Sequence, residues 1–231
     1  HDFPCGPRKA NEAEIAAQNP KATHRLLTGC DIVFRNRTKL KAWGIEHVPE
    51  TGPFITAATH VTMFDVFVPM ISMFHQGRRP RYMAKAEMAS WPLIGKWFQL
   101  VGMQPVQRRS GKAKAIEETS VEILTSGRPL TVWPEGTVTR DPQKWPMSMK
   151  NGVGMIALEA SRRLGYQIPL YCAVTWGAAS TTIGGRGRVK TWSCATTRRL
   201  IMRICSPIAI PGVRKCRRIS PTNLPDASAC V

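Results

Sequence analysis

The sharpest local signal in the sequence is His60-Val-Thr-Met-Phe-Asp65, an imidazole and a carboxylate five residues apart. On a regular helix five residues correspond to about 140° of rotation, so the two side chains meet only if His60 stands before a helix. Thr62 with Asp65 three residues later has the spacing of a capping box, which puts the helix start between them. An imidazole and a carboxylate are then brought together at a positively polarised helix N-terminus. A carboxylate holding one ring nitrogen fixes the tautomer and stabilises the imidazolium, which suits a general base acting on a hydroxyl. Taken alone, the simpler reading is a loop histidine beside a helix-capping aspartate.

Two further segments carry groups that chemistry can use. Trp133-Pro-Glu-Gly-Thr137 follows a short apolar run and ends it with an acid and a glycine, where open α/β sheets place their sites. By itself Glu135 reads equally well as a turn acid paired with a cation. Gly102-Met-Gln-Pro-Val-Gln-Arg108-Arg109-Ser-Gly-Lys112 sets guanidinium forks ahead of a helix start, a setting for phosphate, although alone it is a solvated basic loop. It is not a P-loop, because that spacing requires Gly at Val106 and Ser or Thr at Ala113. There is no G-x-S-x-G elbow and no singled-out thiol, so direct attack by a bound hydroxyl is the simplest scheme.

The elements that must hold these groups follow from hydrophobic patterning. Lys21 to Arg35 reads as a basic helix, Lys39 to Val48 as a strand, and Phe54 to Ala58 as a buried strand delivering the chain to His60. A helix runs from Thr62 to Phe74, a strand from Tyr82 to Ala84, and an apolar helix from Trp91 to Val101. Lys112 to Ser126 is helical, Leu130 to Trp133 a buried strand, Gly154 to Arg163 a helix and Pro169 to Val174 a strand. Leu200 to Ile204 looks like one more strand, and Asn11 to Gln18 like a short helix in a polar leader. Strands alternating with helices give an α/β sheet covered by helices. The expected organisation is a leader and basic helix over 1–38, one catalytic-size domain over 39–210 and a loose basic tail over 211–231.

Composition bounds the function classes. A chain of 231 residues with 43% hydrophobic content has room for one sizeable core and excludes a disordered or fibrous protein. Its 33 Lys plus Arg against 15 Asp plus Glu, a formal +18, point to anionic partners: nucleic acid, lipid surfaces or phosphorylated small molecules. The seven cysteines form no C-x-x-C pair or zinc-spaced cluster, which implies a reducing compartment and no structural metal. The longest suggestive apolar stretch, Phe64 to Phe74, is shorter than the roughly 20 residues a membrane span needs.

Taken in order, H-x-x-x-x-D, a basic G-x-x-x-V-x-R segment and P-E-G-T resemble the 1-acylglycerol-3-phosphate acyltransferase family. The likeness extends to Thr51-Gly-Pro-Phe54, Met83-Ala-Lys85-Ala-Glu87-Met88 and Ile168-Pro169, and runs from about Lys39 to Gly177. The resemblance implies a mixed, mostly parallel sheet flanked by helices. It implies His60 as base and Asp65 as its support, with acceptor phosphate held by Arg108, Arg109, Glu135, Gly136, Thr137 and Arg140. It implies transfer of a fatty acyl group from acyl-CoA or an acyl-carrier protein to the free hydroxyl of 1-acyl-glycerol-3-phosphate, without metal or bound cofactor. Thr59 and Val138 depart from the family pattern, which has Asn or Ser before the histidine and often Arg directly after the threonine. Trp91, Lys96, Trp97 and Phe98 are nominated for contact with an anionic membrane on its cytoplasmic face. The motifs equally serve glycerol-3-phosphate, another lysophospholipid or a glycolipid as acceptor. An inactive basic module binding membrane or nucleic acid stays open as the rival class, although no nucleic-acid motif supports it.

Overall fold

The structure, a computed structural model, describes residues 20–37, 39–91, 95, 97, 100–106, 113–143, 145–176 and 199–204. Helix α1 (Pro20–Arg37) leads into β1 (Lys39–Trp43), then β2 (Ile55–Ala58) and α2 (Phe67–His75). Next come β3 (Arg81–Lys85), β4 (Met103–Val106), α3 (Ala113–Thr125), β5 (Leu130–Val132), α4 (Gly152–Leu164), β6 (Leu170–Trp176) and β7 (Arg199–Ile204). The strands lie in the order β1-β7-β6-β2-β5-β3-β4. From β6 to β4 all neighbours are parallel, whereas β7 runs antiparallel to β6 and parallel to β1. The expected mixed, mostly parallel α/β sheet is therefore the observed one. The elements expected over 1–19, 177–198 and 205–231 lie outside the described residues, as does most of the expected helix from Trp91 to Val101.

Side-chain alternation along β2 divides the core between the two faces of the sheet. Phe54 and Ala58 join Phe34 of α1, Val68 and Ile71 of α2, and Tyr171. Ile55 points the other way, to Val121 and Leu124 of α3, Leu130 of β5, and Ile156 and Ala160 of α4. With helices on both faces, β2 and β5 are buried on each side and read as short continuous apolar runs. Leu27, Met70, Phe74, Tyr82 and Val101 form a third cluster where α1 crosses α2.

Three expectations are corrected. Strand β1 stops at Trp43 rather than Val48, because Gly44 turns left-handed at φ 75° and a 3-10 turn follows over Ile45–His47. The helix expected from Thr62 begins later: Met63–Val66 is a 3-10 turn and α2 proper starts at Phe67. Strand β4, inside the segment expected to be a basic loop, was not anticipated.

Candidate active site

The parallel strands β6, β2, β5, β3 and β4 end along one edge of the sheet, and the chemistry-bearing residues gather there. Beyond β2 the ladder continues for one residue: Thr59 N–H donates to Ala173 O (3.0 Å), and the Thr59 hydroxyl accepts from Thr175 N–H (3.2 Å). This buried threonine gives the departure from the family pattern a structural use, since it fixes the residue before His60.

His60 is clamped by the loop after β5, the neighbouring strand. Its N–H donates to Glu135 Oε1 at 2.8 Å, and its carbonyl accepts from Thr139 N–H at 2.8 Å. Its ring lies against Trp133, with centroids 5.6 Å apart and planes tilted by 40°, and Trp133 reaches Tyr82 behind it. The His60 side chain is 15% exposed, while that of Asp65 is fully buried, and Nδ1 stands 3.7 Å from Asp65 Oδ2. That separation is too long for the hydrogen bond expected from the sequence.

The Asp65 carboxylate is held instead by the turn it closes. Oδ2 accepts the N–H of Val61 and that of Thr62 (2.6 Å), and Oδ1 faces the Thr62 hydroxyl at 3.2 Å. A side chain reaching back to backbone donors ahead of the helix is the reciprocal half of a capping box. The spacing argument thus succeeds by a different route: residues 61–64 wrap around the carboxylate and leave the imidazole beside it. A negative charge next to Nδ1 favours the tautomer with the proton there, which leaves Nε2 as the basic nitrogen.

The resemblance implies Glu135 at the phosphate end, and the structure sets its carboxylate between the backbones of His60 and Met147. Glu135 is 4% exposed. Its Oε1 holds His60 N–H, and its Oε2 accepts Met147 N–H at 2.8 Å. A buried carboxylate with both oxygens engaged braces the histidine backbone. Gly136 follows in a left-handed turn (φ 72°), and the Lys150 ammonium packs where a Cβ would stand, 3.1 Å from that position. Thr137 and Arg140 are exposed on the same loop, whereas Arg108 and Arg109 lie outside the described residues.

Of the residues nominated for membrane contact, Trp91 is half exposed and Trp97 is partly buried. Its ring packs on Phe67 with centroids 5.5 Å apart and joins the cluster around Leu27 and Phe74. Lys96 and Phe98 lie outside the described residues. Among the described residues no helix is long and apolar enough to cross a membrane.

A histidine held rigidly beside a buried carboxylate, at the C-terminal edge of a parallel sheet, defines a site for moving a proton on or off a hydroxyl. The family model described as Acyltransferase matches residues 39–176, more than half of the sequence, and the chain belongs to that family. It is similar to the lyso-ornithine lipid O-acyltransferase of Pseudomonas aeruginosa, 32% identical over 87 residues. That match covers 38% of this chain and about a third of the relative, 32% of its length. In fold it is similar to the crystal structure of the 1-acyl-sn-glycerophosphate (LPA) acyltransferase, PlsC, from Thermotoga maritima. The TM-score is 0.57 at 17% identity, covering 87% of this chain and 76% of that one.

Proposed function

We propose that the protein is a lysolipid O-acyltransferase, moving a fatty acyl group from acyl-CoA or an acyl-carrier protein to the free hydroxyl of an acceptor such as 1-acyl-glycerol-3-phosphate. What carries this reading is the placement of His60: backbone clamped by Glu135 and Thr139, ring against Trp133, and Nδ1 turned toward Asp65. Nε2 takes the proton of the acceptor hydroxyl as its oxygen attacks the thioester carbonyl. The tetrahedral intermediate collapses with loss of the C–S bond, and the imidazolium returns the proton to the departing thiolate. The products are the ester and a free thiol, with Asp65 balancing the transient positive charge. For the acceptor phosphate the exposed Arg140 on the site loop is the candidate partner, with Arg108 and Arg109 nominated from the sequence. Nothing in the scheme needs a metal or bound cofactor. The working place is the surface of an anionic membrane, on its cytoplasmic side.

Lyso-ornithine lipid is a second acceptor, favoured by the local sequence match to a lyso-ornithine lipid O-acyltransferase. The test is thiol release from a long-chain acyl-CoA with each acceptor, comparing wild type with His60→Ala. Acceptor-dependent release should fall at least about a hundredfold in the variant, the usual size of general-base catalysis. Release indifferent to the substitution overturns the role of His60, and a folded wild type inert with every lysolipid overturns acyl transfer.

A further inference from the structure

Residues 140–143 and 145–150, between the site loop and α4, form no helix or strand, yet they are pinned at three points. Thr139 Oγ1 donates to Trp145 O at 2.6 Å, Met147 N–H to Glu135 Oε2 at 2.8 Å, and Lys150 N–H to Pro134 O at 3.1 Å. On this fixed backbone the large apolar side chains face outward: Trp145 is 67% exposed, Met149 55% and Met147 37%. Met63, on the 3-10 turn between His60 and α2, is 58% exposed. Several large apolar side chains exposed together on one pinned loop mark an interaction surface.

We infer that this loop docks the protein on an anionic lipid bilayer, with Trp145, Met147 and Met149 entering the headgroup zone. Charge supports a bilayer as the occupant. The sequence places Arg140, Lys144 and Lys150 in the stretch against one acid, and Asp141 turns its carboxylate back onto Gln143 N–H at 2.7 Å. Exposed aromatic and thioether side chains in a stretch rich in cations match the apolar and anionic layers of a membrane surface. On the function proposed above the acceptor is itself a lipid. Glu135 holds the loop and the His60 backbone with the same carboxylate, so docking there brings acceptor to base.

The test is sedimentation of the full chain with vesicles of phosphatidylcholine containing about a third phosphatidylglycerol. Trp145→Ser/Met149→Ser should weaken partitioning at least about tenfold, whereas Trp91→Ser leaves it within about twofold. Trp145→Phe, which keeps an apolar aromatic side chain, should lose much of the fluorescence quenching that brominated lipids cause in wild type. Partitioning unchanged in the double variant, or abolished by Trp91→Ser instead, overturns the docking surface, as does specific capture of a protein by the loop when vesicles do not bind. Vesicle binding needs no turnover. A protein that docks through the loop but releases no thiol with any lysolipid therefore overturns acyl transfer alone. Turnover with a soluble short-chain acceptor, combined with partitioning indifferent to Trp145 and Met149, overturns the docking alone.

Discussion

At the scale of single residues, Glu135 ties two loops of the candidate site together. Its two oxygens join the backbone of His60 to that of Met147, residues on different loops, through hydrogen bonds of 2.8 Å each. Hydrogen bonds to a charged acceptor are each worth about 1.5–3 kcal/mol, so the brace is among the stronger polar links at this edge. Glu135→Gln keeps the size and removes one acceptor, setting an amide NH2 against one of the two N–H groups. The expected result is a kcat lower by about ten- to a hundredfold, from displacement of the imidazole, with KM for acceptor little changed. Steady-state kinetics on the purified variant check this, and an unchanged kcat would reduce Glu135 to a loop tether. The pairing of His60 with Asp65 was legible because both partners lie within one short segment whose capping signal sets the turn. The brace and the Trp133 contact were not, because they join groups more than 70 residues apart and only the β2–β5 pairing brings them together.

At the scale of elements, the two helices on the α3–α4 face are cross-linked by an exposed ionic cluster. Arg163 of α4 bridges Glu118 of α3 at 2.8 Å and Glu159 of its own helix at 2.8 Å, while Arg162 takes the remaining side of Glu159. Hydrogen bonding to Arg162 and then to Arg163 draws Glu159 down to about 2 from its ordinary 4.5. A carboxyl whose folded-state value lies below its unfolded one contributes stability above about 4.5, and that contribution is lost as pH falls toward about 2. Arg163→Met removes part of it. The variant should melt slightly lower at neutral pH, a difference that about 0.5 M salt erases, and its Tm should fall less steeply through that acid window. Thermal melts across pH decide it, and parallel acid limbs in the two proteins would exclude the cluster. Elements were legible in proportion to how far local pattern decides them. The apolar runs of β2, β5 and β6 and the amphipathic α3 and α4 lie within two residues of their expected bounds. Strand β4 was hidden because Gln104 and Pro105 interrupt its pattern, and it survives them as an edge strand paired only with β3. The end of β1 turns on a left-handed Gly44, which hydrophobic alternation does not report.

At the scale of the whole molecule, a formal +18 reads as an electrostatic surface, but part of that charge faces inward. Arg78, Arg79 and Arg81, between the end of α2 and the start of β3, are all buried, Arg78 to 1% exposure. The Arg78 guanidinium donates to Pro49 O and to Gly52 O (2.6 Å), and it lies over the Phe54 ring with 4.8 Å to the centroid. It thus fastens the loop before β2 to the segment after α2, holding the strand that delivers His60. Cations with such roles are structural, and the charge available to a membrane is that of exposed groups such as Arg140 and Lys150. Two substitutions that each remove one positive charge separate these roles. Arg78→Met strips donors from two carbonyls and should cost roughly 2–4 kcal/mol of stability, while the salt dependence of vesicle binding by the folded protein stays as in wild type. Lys150→Met should leave stability within about 0.5 kcal/mol, yet weaken binding to anionic vesicles and flatten its salt dependence. Denaturant unfolding and vesicle sedimentation across ionic strengths measure both. If the two variants lost vesicle binding equally at matched folded fractions, net charge rather than its placement would govern membrane attraction.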